Sequence, residues 1–209
     1  MRDNPRPRPP GRELFLAPFA LLDPADFERI RYAYIVSKHG HAQQTRDDGS
    51  RYFDHPKSAT WIYTYELNGR DPDVAITILL HDIEENADLM SPYRIALNFG
   101  KEIALYVVAL TKLPRGKETT EKYLGRIVAA GPIAILAKLC DRLHNLRTLY
   151  GCTEQKRSDQ LEETMAFHLP ILIPALREHG EPWRSYANII EEKIHEAMAE
   201  WRPDGKPVS

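Results

Sequence analysis

Apolar residues recur at spacings of three and four along most of this chain. Ile103, Tyr106, Val107 and Leu110 form one stripe, and Ile189, Ile190, Ile194 and Met198 form another; such stripes mark helices that bury one face. Alternation with the period of a strand is scarce. The punctuation is helical as well. Asp23-Pro24, Asp71-Pro72 and Ser91-Pro92 each set a capping oxygen before a proline suited to the first helical turn. Gly69, Gly100, Gly131 and Gly180 follow helix-like stretches, where a left-handed C-terminal cap is easiest for glycine. With no internal repeat and no long low-complexity segment, the pattern predicts an all-α, single-domain helical bundle of about eight or nine helices.

A length of 209 residues suits one domain around one core. The domain is expected over residues 23–201, after a flexible Arg/Pro-rich arm and short apolar segment (1–22) and before a loose tail (202–209). The apolar run from Leu14 to Leu22 follows a basic start, as a signal peptide would. It is short, broken by Pro18 and followed by no small-residue cleavage pattern, so packing on the domain is the expectation. No run approaches the roughly 20 apolar residues of a membrane span.

Charge narrows the partners. With 28 basic against 30 acidic side chains and a net charge of −2, no global field draws the protein to DNA, RNA or an acidic membrane. An anionic ligand has to be held locally, which points to a small molecule; the oligomeric state stays open. Cys140 and Cys152 are the two cysteines. One pair is no disulfide framework, and this favours a reducing, cytoplasmic setting.

Candidate chemistry lies in three distant strings: His55-Pro56, His81-Asp82 and Asp141 within DRLHN. Each alone is weak, because a lone histidine in a helical protein is usually a satisfied structural residue. Context strengthens them. His55 opens a helix after a turn-rich loop, His81-Asp82 follows the apolar run AITILL, and Asp141 follows AILAKLC. Charged groups at the ends of buried helices cost several kcal/mol unless paired or metal-bound. Two imidazoles and two carboxylates make a mixed nitrogen and oxygen set, suited to a divalent first-row ion rather than to a thiolate zinc site. Neighbours such as His81 and Asp82 point about 100° apart on a helix, so both reach one ion only if it sits over the edge between them.

Taken in order, these strings resemble the HD-domain superfamily and, within it, the RelA/SpoT alarmone hydrolases and their stand-alone small relatives. The similarity runs through HAQQTRDDGSRYFDHP (41–56), LLHDIEEN (79–86), NFG (98–100), LTK (110–112), KLCDRLHNLRTL (138–149) and ETMAFHLP (163–170). The joint order is specific where the separate pieces are not. The resemblance implies an HD-type bundle in which His55, His81, Asp82 and Asp141 hold Mn²⁺ or another divalent first-row ion. It also implies removal of the 3′-pyrophosphate of (p)ppGpp. Synthetase-type members have lost the His-Asp pair, which this chain keeps, and 209 residues leave no room for a synthetase domain; a live hydrolase is expected.

One departure stands out. The family places an acidic pair one turn beyond His-Asp, where this sequence has Glu85 and then Asn86. Asn86 can orient a water but cannot accept its proton. Glu85 then acts alone as base, or attack proceeds with little of the 10²- to 10⁴-fold help typical of a general base. Glu84 projects about 60° beyond His81 on the other flank and is a poor stand-in.

Arg46 and Lys112 occupy family-like positions for nucleotide or phosphate contact. Asn145, one turn after Asp141, shares its face and is placed to touch nucleotide or orient the ligand. Their plainer readings are a solvated loop arginine, a helix C-terminal charge and a polar surface residue. His41, His144 and His168 read as structural. Lys156 and Arg157 could reach the distal phosphate but read as a solvated charge pair before a helix, and Cys140 reads as a packed small side chain rather than a nucleophile.

Three functions remain in view. The first is hydrolysis of (p)ppGpp, or of a purine analogue such as (p)ppApp, to pyrophosphate and a nucleoside 5′-di- or triphosphate. The second is a phosphomonoesterase on the same scaffold, acting for example on the 2′-phosphate of NADPH, as a metazoan relative of the family suggests by analogy. The third is an alarmone-binding module weakened in catalysis by Asn86. Release of pyrophosphate or of orthophosphate separates the first two, and restoration of activity by Asn86→Asp marks the third.

Overall fold

A computed structural model describes residues 10–83, 90–114, 116–202 and 204–208. A short helix α1 (Arg12–Leu16) and a 3-10 turn (Ala17–Phe19) precede α2 (Pro24–Gly40), α3 (Asp54–Trp61) and α4 (Pro72–Leu80). Then come α5 (Pro92–Phe99), α6 (Lys101–Leu110), α7 (Thr120–Ala130), α8 (Pro132–Arg147), α9 (Glu154–Glu163), α10 (Leu169–Glu178) and α11 (Trp183–Ala199). A π-helical turn, Thr164–His168, joins α9 and α10 into one rod. Counted so, there are ten helices among the described residues, slightly more than the expected eight or nine. The five residues of α1 are too few for periodicity to reveal. Among the described residues pairing of the β type is confined to two isolated bridges, Thr45 with Arg51 and Trp201 with Pro207. The all-α, single-domain expectation holds.

The bundle is organised around α4. Every residue from Val74 to Leu80 is buried, and a helix apolar all round has to be enclosed on every side. It packs on α2, α3, α6 and α8. The second buried helix is α8, whose residues Ala134 to Leu143 are shielded by α3, α4, α7, α10 and α11. These contacts bring the C-terminal end of α4, the first turn of α3 and the middle of α8 together.

The stripes behave as their spacing predicts. Ile103, Val107 and Leu110 are buried with Tyr106 at the edge; Ile190 and Ile194 are buried, with Ile189 and Met198 packed beside them. The caps form too. Asp23 accepts from the Ala25 amide at 2.8 Å, Asp71 from the Asp73 and Val74 amides at 2.8 and 3.3 Å, and Ser91 from the Arg94 amide at 3.4 Å. Gly100, Gly131 and Gly180 take positive φ. Gly69 does not: the left-handed residue at that stop is Asn68, with φ 53°. Gly69 is required for a different reason, since a Cβ there would lie 1.9 Å from Tyr63 Cε2. That close approach lets the Tyr63 hydroxyl accept from the Asp71 amide at 2.9 Å, fixing the turn into α4.

At the ends of the described chain, Phe15 and Phe19 are fully buried. After Trp201 the backbone doubles back, with the Arg202 amide donating to Lys206 O at 2.7 Å and the Val208 amide to Glu200 O at 2.9 Å. No helix among the described residues is long and apolar enough to cross a membrane.

Candidate metal centre

His55 sits in the first turn of α3, where Tyr52 O accepts its amide at 2.9 Å. His81 caps the C-terminal end of α4, and Asp82 follows. Asp141 lies mid-way along α8. Three elements, 26 and 60 residues apart in sequence, thus bring these side chains together: His55, His81 and Asp82 set ligand atoms within 4.8 Å of one another, and Asp141 adjoins the two histidines. His55 Nε2 lies 3.0 Å from Asp141 Oδ1, 3.2 Å from His81 Nε2 and 3.5 Å from Asp82 Oδ2. His81 Nε2 lies 3.1 Å from Asp82 Oδ2 and 3.6 Å from Asp141 Oδ1. Ligands about 2.1 Å from a common ion at right angles to one another are themselves about 3 Å apart, and these spacings of 3.0 to 3.6 Å are near that value.

The tautomers point the same way. His81 Nδ1 donates to Ile78 O at 2.8 Å, which leaves Nε2 as a lone pair facing the cluster. His55 Nδ1 lies 2.7 Å from His144 Nδ1; with His55 donating, its Nε2 lone pair also faces inward. In these tautomers the lone pairs of two imidazoles face the two carboxylates, a donor set that can hold a cation. Burial works against charge on His81, yet Asp82 and Asp141 override it and push its pKa well above the ordinary histidine range. Burial, aided by the nearby Arg46, lowers that of His55 to about 4. Despite burial, Lys138, His55 and His81 hold Asp141 well below the usual carboxylate range. The donor set fits a divalent ion with mixed nitrogen and oxygen preference.

Around these four side chains a further layer of hydrogen bonds fixes their orientation. Lys138, Asp141 and Asn145 lie at i, i+3 and i+7 on one face of α8. Lys138 Nζ donates to Asp141 Oδ2 at 2.8 Å and Asn145 Nδ2 to Asp141 Oδ1 at 2.6 Å. Arg46, brought over from the loop between α2 and α3, donates to Asn145 Oδ1 at 2.8 Å. Tyr52 donates to Asp82 Oδ2 at 2.9 Å and stacks on His41.

The centre opens into a polar pocket of about 280 Å³. Arg46, Lys112, Lys138 and Lys156 all line it, with Asn145 and Tyr123. Lys156 Nζ is held by Asp47 Oδ2 at 2.5 Å, and Lys112 Nζ lies 3.7 Å from Glu163 Oε1. A protein of net charge −2 thereby sets four cations beside its candidate metal ligands, against the carboxylates of Asp47, Asp82 and Asp141 in the same lining.

His55, His81, Asp82, Asp141, Arg46, Lys112 and Asn145 are therefore brought together, whereas Glu85 and Asn86 lie outside the described residues. Sequence reasoning passed over Tyr52 and Lys138. The face arithmetic that picked out Asn145 also selects Lys138, three residues before Asp141; Tyr52 comes from an irregular loop and leaves no periodic signal. His144, read as structural, lies behind the candidate ligand His55. Lys156, read as solvated, lines the pocket. His168 is buried with its Nε2 2.8 Å from Arg142 Nη2, and Cys140 is buried in the core.

Known proteins place this geometry in context. A family model described as HD domain matches residues 33–171. The guanosine-3′,5′-bis(diphosphate) 3′-pyrophosphohydrolase of Aquifex aeolicus is 36% identical over 153 residues, which is 71% of this chain and 22% of that protein. The bifunctional (p)ppGpp synthase/hydrolase SpoT of Escherichia coli is 32% identical over 153 residues, 69% of this chain and 21% of its own length. A GTP pyrophosphokinase of Streptomyces antibioticus is 32% identical over 158 residues, 72% and 18% of the two chains. The chain thus spans about a fifth of the length of the curated relatives it matches. A solved structure of a metazoan SpoT ortholog, described as hydrolysing ppGpp, superposes with a TM-score of 0.66 at 22% identity, covering 81% of this chain and 93% of the other. That likeness is one of fold.

Proposed function

The chain belongs to the HD-domain family, and from that premise we propose that it is a divalent-metal phosphohydrolase that removes the 3′-pyrophosphate of (p)ppGpp or of a close purine analogue such as (p)ppApp. One observation carries the reading: two inward-facing imidazoles and two carboxylates meet at the floor of a pocket walled by Arg46, Lys112 and Lys156. The relatives named for (p)ppGpp hydrolysis support the substrate class.

His55, His81, Asp82 and Asp141 would hold the ion, with Mn²⁺ as our choice. When bound, it supplies Lewis-acid polarisation of phosphorus and makes water a better nucleophile at neutral pH. The protein does the rest. Lys112 and Lys156 bind the pyrophosphate oxygens, while Arg46, already bonded to Asn145, meets the nucleoside side of the substrate as a planar cation. Lys138 and Asn145 occupy both oxygens of Asp141 and keep its carboxylate from rotating. Glu85 takes the proton of the attacking water, and Asn86 orients that water. Water oxygen bonds to the phosphorus attached to the 3′-oxygen, the P–O3′ bond breaks, and the 3′-oxygen takes up a proton. The products are pyrophosphate and GDP or GTP. We place this activity in the cytoplasm, consistent with two free cysteines.

The test is to incubate purified protein with Mn²⁺ and ppGpp, ppApp or NADPH in parallel, beside a His81→Ala, Asp82→Ala control. Pyrophosphate release from the alarmone, abolished in the control, is expected. Orthophosphate from NADPH alone, or identical behaviour of wild type and control, would overturn the reading.

A further inference from the structure

Tyr123 belongs to α7 and is 3% exposed, yet it lines the metal-centre pocket. Its hydroxyl donates to Leu110 O at 2.6 Å, which fixes the ring in its plane at the point where the chain leaves α6 toward Lys112. Lys112 Nζ lies 5.3 Å from the ring centroid and Lys138 Nζ also 5.3 Å. Arg126 sits 5.5 Å from the same ring, but Glu118 and the carbonyls of Val108 and Thr111 engage it, and it does not line the pocket. Two ammonium groups from different elements, α8 and the α6–α7 connection, therefore share one aromatic platform.

Like charges brought together repel, and burial together with Lys138 presses the Lys112 pKa downward. Each lysine also has a carboxylate near it, Asp141 Oδ2 at 2.8 Å from Lys138 Nζ and Glu163 Oε1 at 3.7 Å from Lys112 Nζ. The aromatic face adds negative potential without formal charge on the side that the two ammonium groups share. Lys112 and Tyr123 also form the partition between the pocket and a neighbouring cavity of about 350 Å³. Without the ring, Lys112 has room to swing away.

We propose that Tyr123 is a positioning residue of the phosphate pocket: its buried ring gathers the Lys112 and Lys138 ammonium groups on one wall and presents their joint charge to the substrate's pyrophosphate. The inference rests on the reading of the pocket as a pyrophosphate site.

The experiment titrates inorganic pyrophosphate into the full chain by calorimetry. The forms compared are wild type, Tyr123→Phe, Tyr123→Leu, Tyr123→Met, Lys112→Gln and the Tyr123→Leu, Lys112→Gln double variant, and the ringless variants are read where they melt cooperatively. Loss of the ring is expected to weaken pyrophosphate binding about tenfold, whereas Tyr123→Phe stays within about threefold of wild type. The double variant should bind no more than about twofold worse than Lys112→Gln, because Asp141 still holds Lys138 when the ring is gone and the loss runs chiefly through Lys112. With ppGpp, the Tyr123→Leu change should appear in KM, with kcat within about threefold.

Three outcomes overturn the inference: no pyrophosphate binding to wild type, equal losses in Phe and Leu variants, or losses that multiply in the double variant. Absence of ppGpp turnover with the binding cycle intact would instead sink the substrate assignment and leave the positioning role standing.

Discussion

At the scale of single residues, the aim of the ligands depends on side chains that do not touch the candidate ion. His144 Nδ1, 2.7 Å from His55 Nδ1, holds that imidazole in the tautomer that turns Nε2 inward. Replacing such an outer partner typically weakens metal binding 10- to 100-fold. His144→Phe is therefore expected to raise the Mn²⁺ concentration needed for half-maximal activity by about that factor, with the saturated rate changed far less; an unshifted metal titration would remove His144 from the site. Asn86→Asp supplies a second proton acceptor beside Glu85, so kcat should rise, by up to about 10², and an unchanged or lower kcat would show that Glu85 suffices. The candidate ligand positions were legible in the sequence because three strings stood in a known order. Tyr52 was not, because a loop residue carries no periodicity to betray where its hydroxyl points.

At the scale of elements, the junction of α9 and α10 is pinned to α8 by Arg142, which is 2% exposed and directly follows Asp141. Its guanidinium donates to Glu163 Oε2 at 2.7 Å, to Gln160 Oε1 and to His168 Nε2 at 2.8 Å. Burial first, then Arg142, lowers the His168 pKa to about 2. The unfolded chain takes up a proton at this histidine below about pH 6.5, while the native chain does not until near pH 2. The unfolded state thus binds more protons across that window, and stability is lost as pH falls below about 6.5. His168→Gln should flatten this acid limb: between about pH 7 and 5 the wild type is expected to lose more stability in urea unfolding than the variant, and equal losses would contradict the assignment. At the start of α4, Asp71→Ala removes the acceptor of two amides and should cost about 1 kcal/mol, read as a lower Tm. Helix starts such as this were readable, since Asp-Pro and Ser-Pro carry the cap in local sequence. The stop at Gly69 was misread in kind: only packing reveals that the glycine makes way for the Tyr63 ring while Asn68 takes the left-handed turn.

At the scale of the whole molecule, the enclosed helix α4 serves both fold and site, since the helix that fills the core ends in His81. Leu79→Ala, at a fully buried position two residues before that ligand, is expected to cost about 2–5 kcal/mol; a loss below about 1 kcal/mol would mean that the core around α4 closes over the gap. The all-α class was legible because amphipathic stripes dominate the chain. The meeting of His55, His81, Asp82 and Asp141 was legible only through the family resemblance, because no local pattern states that the first turn of α3, the end of α4 and the middle of α8 come together. That meeting is the central claim, and elemental analysis of the protein equilibrated with Mn²⁺ and then freed of loose metal tests it most directly. One divalent ion per chain in the wild type and none in Asp141→Ala is the expected result, while equal metal in both, or none in either, would contradict it.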